Sequence, residues 1–240
     1  MYPVLFRVRG FEVTSFGVMV AIGALAGLWV FYRELRRAGL PGEAIDAGVA
    51  GVVGGMAGAK LLWVVEHFGE EPVAQLLLSR GGMSWFGGFA GGILSGLLIM
   101  YRKELPTMAV LAAATPGLVI GQAIGRIGCF LVGDDYGRPT DLPWGVAFPE
   151  GRPPTTIPVH PTQIYEAAAL VPLAVLLLRW RRRGRTDAVV LGTYLLLAGA
   201  IRLSIEFVRV DQPVLGMFTV AHLAAVGGML VGSVLLLDAR

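Results

Sequence analysis

The stretch "VTSFGVMVAIGALAGLWVFY", residues 13–32, runs for twenty residues without one charged side chain. At a rise of about 1.5 Å per residue a helix of that length spans about 30 Å, the thickness of a bilayer's hydrocarbon core. A helix lying on a soluble core keeps a charged face toward water, and this stretch offers none. Six further runs of the same kind follow, at roughly 44–65, 83–101, 108–131, 162–180, 188–207 and 216–237. The sequence therefore predicts an all-α membrane protein, a bundle of about seven transmembrane helices making one integral membrane domain over residues 1–240.

The bulk composition agrees. Of the 240 residues 55% are hydrophobic and 15% charged, where soluble proteins carry about 25% charged residues, and the mean hydropathy is +0.68. The first run exceeds the apolar core of about 7–15 residues found in a secretory signal and lacks a convincing small-residue cleavage site, so it is expected to persist as a helix. Cys129 is the only cysteine and has no internal disulfide partner. No spacing of Cys, His and acids suggests a metal site, and His67 and His222 read as ordinary interfacial or packed residues. The basic pI of about 9.3 reflects Lys and Arg at helix ends and not one basic patch, which argues against a nucleic-acid partner.

Lys and Arg concentrate in cytoplasmic loops. Sorted by alternate loops, they favour the side carrying Arg33, Arg36 and Arg37, Arg102 and Lys103, "RWRRRGR" at 179–185, and Arg240. The other side carries Arg7, Arg9, Arg80, Arg138, Arg152 and Arg209, with the acids Glu66, Glu70 and Glu71. This places the N-terminus outside and the C-terminus in the cytoplasm. The polar segment at about 132–161 then falls on the outer face as an external loop region. Its seven prolines forbid a continuing helix, and Trp144 and Phe148 suit the headgroup zone. Glycines four apart, Gly51/Gly55, Gly54/Gly58, Gly87/Gly91, Gly88/Gly92 and Gly92/Gly96, predict bare helix faces for close helix–helix packing.

Against this apolar background the buried charges stand out. A charge at the centre of a membrane helix costs about 2.5 to 3.5 kcal/mol on insertion scales. Lys60, Arg126 and Arg202 must therefore face protein or a watery cavity. Arg202, Glu206 and Arg209 are spaced four and three apart, which places them on one helical face. His160, Gln163 and Glu166 cluster where Pro161 opens a helix. Arg202 and Glu206 can be a buried ion pair that fixes helix register. Arg126 has no acid near it in sequence before Asp134, so the cations outnumber the deep acids and an anionic ligand is the natural missing partner. Arginine binds phosphate with two parallel hydrogen bonds. The residues alone thus suggest a phospholipid-binding site opening to the outer face. A transporter would use similar buried charges, but no inverted repeat accompanies them.

The blocks "GVVGGMAGAKLLW" (51–63), "GGMSWFGGFAGG" (81–92), "GRIGCFLVGDDYGR" (125–138), "HPTQIYE" (160–166) and "RLSIEFVR" (202–209) together resemble the prolipoprotein diacylglyceryl transferase (Lgt) family, in the family's order and over about residues 12–237. The resemblance implies transfer of the diacylglyceryl group of phosphatidylglycerol to the thiol of a lipobox cysteine in a prolipoprotein, with release of glycerol 1-phosphate. It implies a bacterial plasma (inner) membrane location and no metal or cofactor. The partners it implies are phosphatidylglycerol or a related anionic phospholipid, the lipobox peptide and the bilayer. Arg126, Arg202, His160 and Glu166 are its candidate catalytic residues. Lys60, Ser84, Asp134, Gln163, Tyr165, Glu206 and Arg209 are its candidate substrate-binding residues.

This chain departs from the family pattern at several positions. Phe86 stands where the family has a histidine, Cys129 replaces an asparagine, Phe16 and Ala198 replace tyrosines, Asp134 replaces a glutamate, and Lys60 replaces an arginine. Phenylalanine accepts no proton. Three accounts remain open at this point: a transferase whose base is His160, Glu166 or the arginines' field; an enzyme with another acceptor or lipid donor; or a non-catalytic phospholipid-binding relative. Cys129 is either a packed small residue or a thiol that transiently takes a lipid.

Overall fold

All seven apolar runs are helical in the computed structural model, which describes residues 2–8, 11–79, 81–209 and 219–239. In chain order the helices are α1 (Ser15–Arg37), α2 (Ile45–Glu66), α3 (Val73–Leu78), α4 (Trp85–Arg102), α5 (Thr107–Val132), α6 (Thr162–Arg182), α7 (Asp187–Glu206) and α8 (Val220–Asp238). Six of them, α1, α2 with its preceding 3-10 turn, α5, α6, α7 and α8, are long and apolar enough to cross a membrane. The glycine-rich α4 is the seventh apolar helix, and α3 is a short helix that the apolar pattern does not announce. Arg9, Arg80 and Arg240, used above to orient the chain, and the expected start of the last helix at 216–218 lie outside the described residues.

The first run begins two residues early in the sequence reading. Val13 and Thr14 belong to β2 (Phe11–Thr14), which pairs antiparallel with β1 (Val4–Val8). Thr14 then caps α1, its Oγ1 accepting from the Gly17 amide at 3.1 Å, a usual use of threonine where orphan amides need an acceptor.

The chain forms two compact units, Phe31–Ala114 and Met1–Val30 with Thr115–Arg240. In the first, α2 and α4 lie along each other on their glycines. A Cβ added at Gly58 would collide with the Gly87 carbonyl oxygen, and one added at Gly55 would come within 3.3 Å of the Gly88 oxygen. Ser95 spans the same seam, its hydroxyl donating to the Ala50 carbonyl oxygen of α2 at 2.8 Å. Lipid offers no hydrophobic drive for helix association, so close backbone contact supplies the dispersion energy that larger side chains would block. Gly58→Val is therefore expected to destabilise the protein by about 3 kcal/mol, the upper end of overpacking costs, because the obstacle is backbone that cannot rotate away. Gly227→Ala in α8, where an added Cβ meets nothing, should be neutral or stabilising by up to about 1 kcal/mol. Thermal unfolding in detergent checks both.

In the other unit the same device recurs between α1 and α5, where a Cβ at Gly23 would stand 2.8 Å from the Gly121 oxygen. The 132–161 segment forms a small folded region of its own, with β3 (Val146–Phe148) paired antiparallel to β4 (Thr155–Val159). Phe148 is 0% exposed, stacked on Tyr136 at 5.4 Å and edge-on to Phe130 at 5.7 Å. This corrects its assignment as a headgroup aromatic: the segment has enough apolar surface to build a core, and Phe148 is its centre. Trp144 stays exposed, with its indole N–H donating to the Tyr165 hydroxyl at 2.7 Å.

Candidate functional site

Four helix ends of the larger unit bring the polar residues together: the C-terminal turns of α5 and α7 and the N-terminal turns of α6 and α8. Gly133, at φ +71°, ends α5 in the left-handed conformation that glycine adopts without a Cβ penalty. The amides of Gly133 and Asp134 both return to the Cys129 carbonyl, at 2.9 and 3.2 Å. The chain then turns back toward α6, and Asp135 takes a left-handed φ of +59°, a conformation in which Asp is enriched. Thr162 at the start of α6 fixes this turn by donating to the Asp135 carbonyl at 2.7 Å.

That turn aims Asp135 at two arginines. Its carboxylate meets Arg126 Nη1 and Arg209 Nη2, each at 2.8 Å. Arg126, from α5, also places Nε 2.9 Å from Glu166 Oε2, and the other Glu166 oxygen accepts from Gln122 Nε2 at 2.8 Å. Glu166 is 1% exposed, and both its oxygens are occupied. Arg126 Nη1 lies 3.9 Å from Cys129 Sγ. Its second terminal nitrogen, Nη2, meets no partner among the described residues.

On α7 the i,i+4 pair forms as the spacing suggests, with Arg202 Nη2 2.6 Å from Glu206 Oε2. The other Glu206 oxygen accepts from Thr219 Oγ1 at 2.5 Å. Thr219 and His222 form a capping box at the start of α8, the Thr219 amide donating to His222 Nδ1 at 3.2 Å. Arg209 does not share the helical face of this pair, because α7 ends at Glu206; it sits in a bridge to Gly137 instead.

These pairings replace the expected excess of positive charge. Arg126, Arg202 and Arg209 each have a carboxylate, and Arg126 has two. The acids were invisible beside Arg126 in sequence because they come from α6 and from the turn beyond α5. Burial alone would raise the Asp135 carboxyl, but Arg209 and Arg126 outweigh it and hold that carboxyl below the usual carboxylate range. A depressed carboxylate stabilises the fold fully above its unfolded pKa, and that contribution is lost as the pH falls through the folded value. Asp135→Asn should therefore lower the unfolding temperature at pH 7, and the difference from the unaltered chain should shrink on acidification below about pH 4.

The other predicted residues divide. Gln163, 1% exposed, donates to the Asp134 carbonyl, while its Oε1 is buried with no partner among the described residues. Asp134 Oδ1 is buried and unpartnered in the same sense. His160 stands with Tyr165, Nδ1 to hydroxyl 3.2 Å, and makes no contact described with the arginines. Lys60 belongs to the other unit, where its ammonium binds the Ser79 carbonyl at 2.7 Å, Ser79 Oγ at 2.8 Å and the Gly81 carbonyl at 2.9 Å. It also lies 4.7 Å over the Trp63 ring. Its ammonium is thus directed at loop oxygens of its own unit. Ser84 is likewise engaged locally, donating to Glu66 at 3.0 Å at the start of α4. Phe86 packs edge-on to Trp85 at 5.4 Å.

Sequence reasoning missed Gln122, the bridging role of Asp135, and the Thr219–His222 box. Two had a signal: Gln122 is a polar residue one turn before Arg126, and T-x-x-H before an apolar run has the spacing of a capping box.

Bilayer-length helices whose ends enclose a guanidinium–carboxylate cluster define a multi-pass membrane protein with a built polar site. Comparison with known sequences says which one. The family model for prolipoprotein diacylglyceryl transferase matches residues 3–237. Phosphatidylglycerol-prolipoprotein diacylglyceryl transferases from Clostridium tetani and Geobacter sulfurreducens are each 33% identical, over 88% and 90% of this chain and 86% and 85% of theirs. One from Vibrio vulnificus is 33% identical over 90% of this chain and 82% of its own. The chain belongs to the prolipoprotein diacylglyceryl transferase family.

Proposed function

We propose that this protein moves the diacylglyceryl group of phosphatidylglycerol onto the cysteine thiol of a prolipoprotein lipobox, in a bacterial plasma membrane. Its N-terminus and the 132–161 region would face outward and its C-terminus the cytoplasm. The names of its relatives support this reaction. The observation that carries the reading in the molecule itself is Arg126. It is held on one edge by Glu166 and Asp135 while Nη2 stays open to a ligand.

Transfer breaks the bond between the glyceryl carbon and the phosphate ester oxygen and forms a carbon–sulfur bond. The electron pair of the broken bond leaves on the phosphate oxygen. Pre-oriented donors aimed at that oxygen stabilise the charge that develops on it. Arg126 and Arg202 take this role, and Arg209 adds positive field. Glu166, Asp135 and Glu206 fix the directions of the guanidiniums. Gln163, Tyr165 and His160 lie beside the same rim and suit the glycerol hydroxyls or the peptide. Lys60 and Ser84 shape their own unit.

The test gives the purified protein phosphatidylglycerol and a lipobox peptide, then measures a diacylglyceryl mass increment on the peptide and released glycerol phosphate. Both products appear if the reading holds. Lipid binding without either product, across peptides of varied lipobox sequence, overturns it in favour of a non-catalytic lipid-binding relative.

A further inference from the structure

Four carboxylates surround the arginines, and they are not equivalent. Glu166 has Arg126 on one oxygen and Gln122 on the other. Glu206 has Arg202 and Thr219. Asp135 has Arg126 and Arg209. Each of these anions has a guanidinium beside it, though Glu206 Oε2 meets Arg202 as an ion pair and not as a hydrogen bond. Asp134 is the exception: among the described residues it makes no ion pair, and its buried Oδ1 has no hydrogen-bond partner.

We propose that Asp134 is the proton acceptor that converts the incoming substrate thiol to its thiolate. The assignment rests on the transferase reading above and supplies the base that Phe86 cannot provide. It also replaces the two bases the sequence suggests. Glu166 is saturated by Arg126 and Gln122, and His160 is engaged with Tyr165, not with the cluster.

The physical argument is one of unequal solvation. An unpartnered carboxylate oxygen removed from water penalises the charged form, so that carboxylate binds a proton more tightly than its paired neighbours. The charged and titratable groups facing Asp134 are Asp135, Cys129, Arg126 and Arg209. Burial is the largest influence on its carboxyl and raises it above the usual range; the Asp135 charge pushes the same way, and a hydrogen bond from Cys129 and the two arginines oppose them without prevailing. Asp134 is only partly buried as a whole residue, so its outer side can reach a substrate. A sulfur is accommodated in this place already: Cys129 Sγ and a carboxylate oxygen from each of Asp134 and Asp135 lie within 4.8 Å of one another.

In the step itself the thiol proton passes to the Asp134 carboxylate and the sulfur electron pair forms the bond to the glyceryl carbon. The carbon–oxygen bond breaks toward the phosphate, whose charge the arginines hold. Asp134 ends as the neutral acid and gives its proton up to water once the products leave.

The experiment compares the unaltered chain with Asp134→Asn and Asp134→Glu in the peptide-transfer assay, measuring kcat and KM for the lipid from pH 5 to pH 9.5. Asp134→Asn is expected to lower kcat at pH 7 by about 10²- to 10³-fold with little change in KM, the usual scale for a general base. The deficit should then shrink toward alkaline pH, as the peptide thiol, with a pKa of about 8.5, ionises unaided. The unaltered chain must show an acid limb lying above the usual carboxylate range, and Asp134→Glu, which keeps a base, must retain measurable transfer with that limb displaced. Asp134→Asn with near-full activity at pH 7, or a loss that is equal at every pH and accompanied by a raised lipid KM, overturns the assignment while leaving the transferase reading in place. Absence of transfer by the unaltered chain overturns both. Should Asp134→Asn fail to fold, an acid limb that does not move in Asp134→Glu overturns the assignment by itself.

Discussion

Arg126→Ala is expected to lower the transfer rate by about 10³-fold, the upper range for removing one pre-oriented donor from a developing negative charge. The same substitution also strips Glu166 of its guanidinium. Glu166 is 1% exposed, and breaking a buried pair from one side costs about 3 to 5 kcal/mol because the remaining charge is uncompensated. Lost activity in the single variant would therefore mix two causes. The double variant Arg126→Met with Glu166→Gln separates them, since it removes both charges and leaves the residue at 166 able to bond Gln122. Its stability should return to within about 1 to 2 kcal/mol of the unaltered chain, as replacing a buried pair together is often close to neutral. Its transfer should remain absent. A stable double variant that still transfers would make Arg126 a structural residue only. Arg126→Lys gives an intermediate result on this view, keeping the charge and losing the planar fork.

The second large effect lies at Glu206. Glu206→Ala removes the carboxylate that joins Arg202 to Thr219, and so acts on α7 and on the cap of α8 together. We expect a loss of about 3 kcal/mol or more, from the buried Arg202 charge and the displaced hydroxyl. Thr219→Val, which touches only the cap and one side of Glu206, should cost about 1 to 2 kcal/mol. Unfolding midpoints in denaturant give both values. A Glu206→Ala variant no less stable than Thr219→Val would show that Arg202 does not depend on this partner.

The helices were readable from the chain because a bilayer imposes a simple condition on them. A segment near twenty residues long with few charges satisfies it almost regardless of what surrounds it. Thus 108–131 falls within Thr107–Val132, and 162–180 within Thr162–Arg182. The strand pairs were not readable, since three to five residues of alternation cannot be told from loop in a segment rich in proline. The glycine spacing was informative because close approach requires bare backbone at fixed intervals.

The polar cluster was legible in several of its members and in one of its pairings. Arg126, Arg202, Glu166 and Glu206 stood out because charge in an apolar helix demands a partner. The Arg202–Glu206 pair follows from its i,i+4 spacing, but Arg126 meets Glu166 from forty residues away, and no local rule supplies that. The same limit explains Phe148, whose companions Phe130 and Tyr136 lie elsewhere in the chain and claim it for a core. His222 looked ordinary because its role is to complete a helix cap, and its connection to Arg202 runs through two other residues.

Asp135 gives the polar cluster a property of its own. By bridging Arg126 and Arg209 it acts as an internal counterion, so the guanidiniums are not left waiting in bare positive potential for a ligand. On the proposed transferase reading an arriving phosphate competes with this carboxylate, whose side chain is 40% exposed. Affinity is then set by the difference between two anions and not by the full strength of either. Under that proposal such an exchange would favour turnover, because the departing phosphate ester would be replaced by a group already tethered beside it.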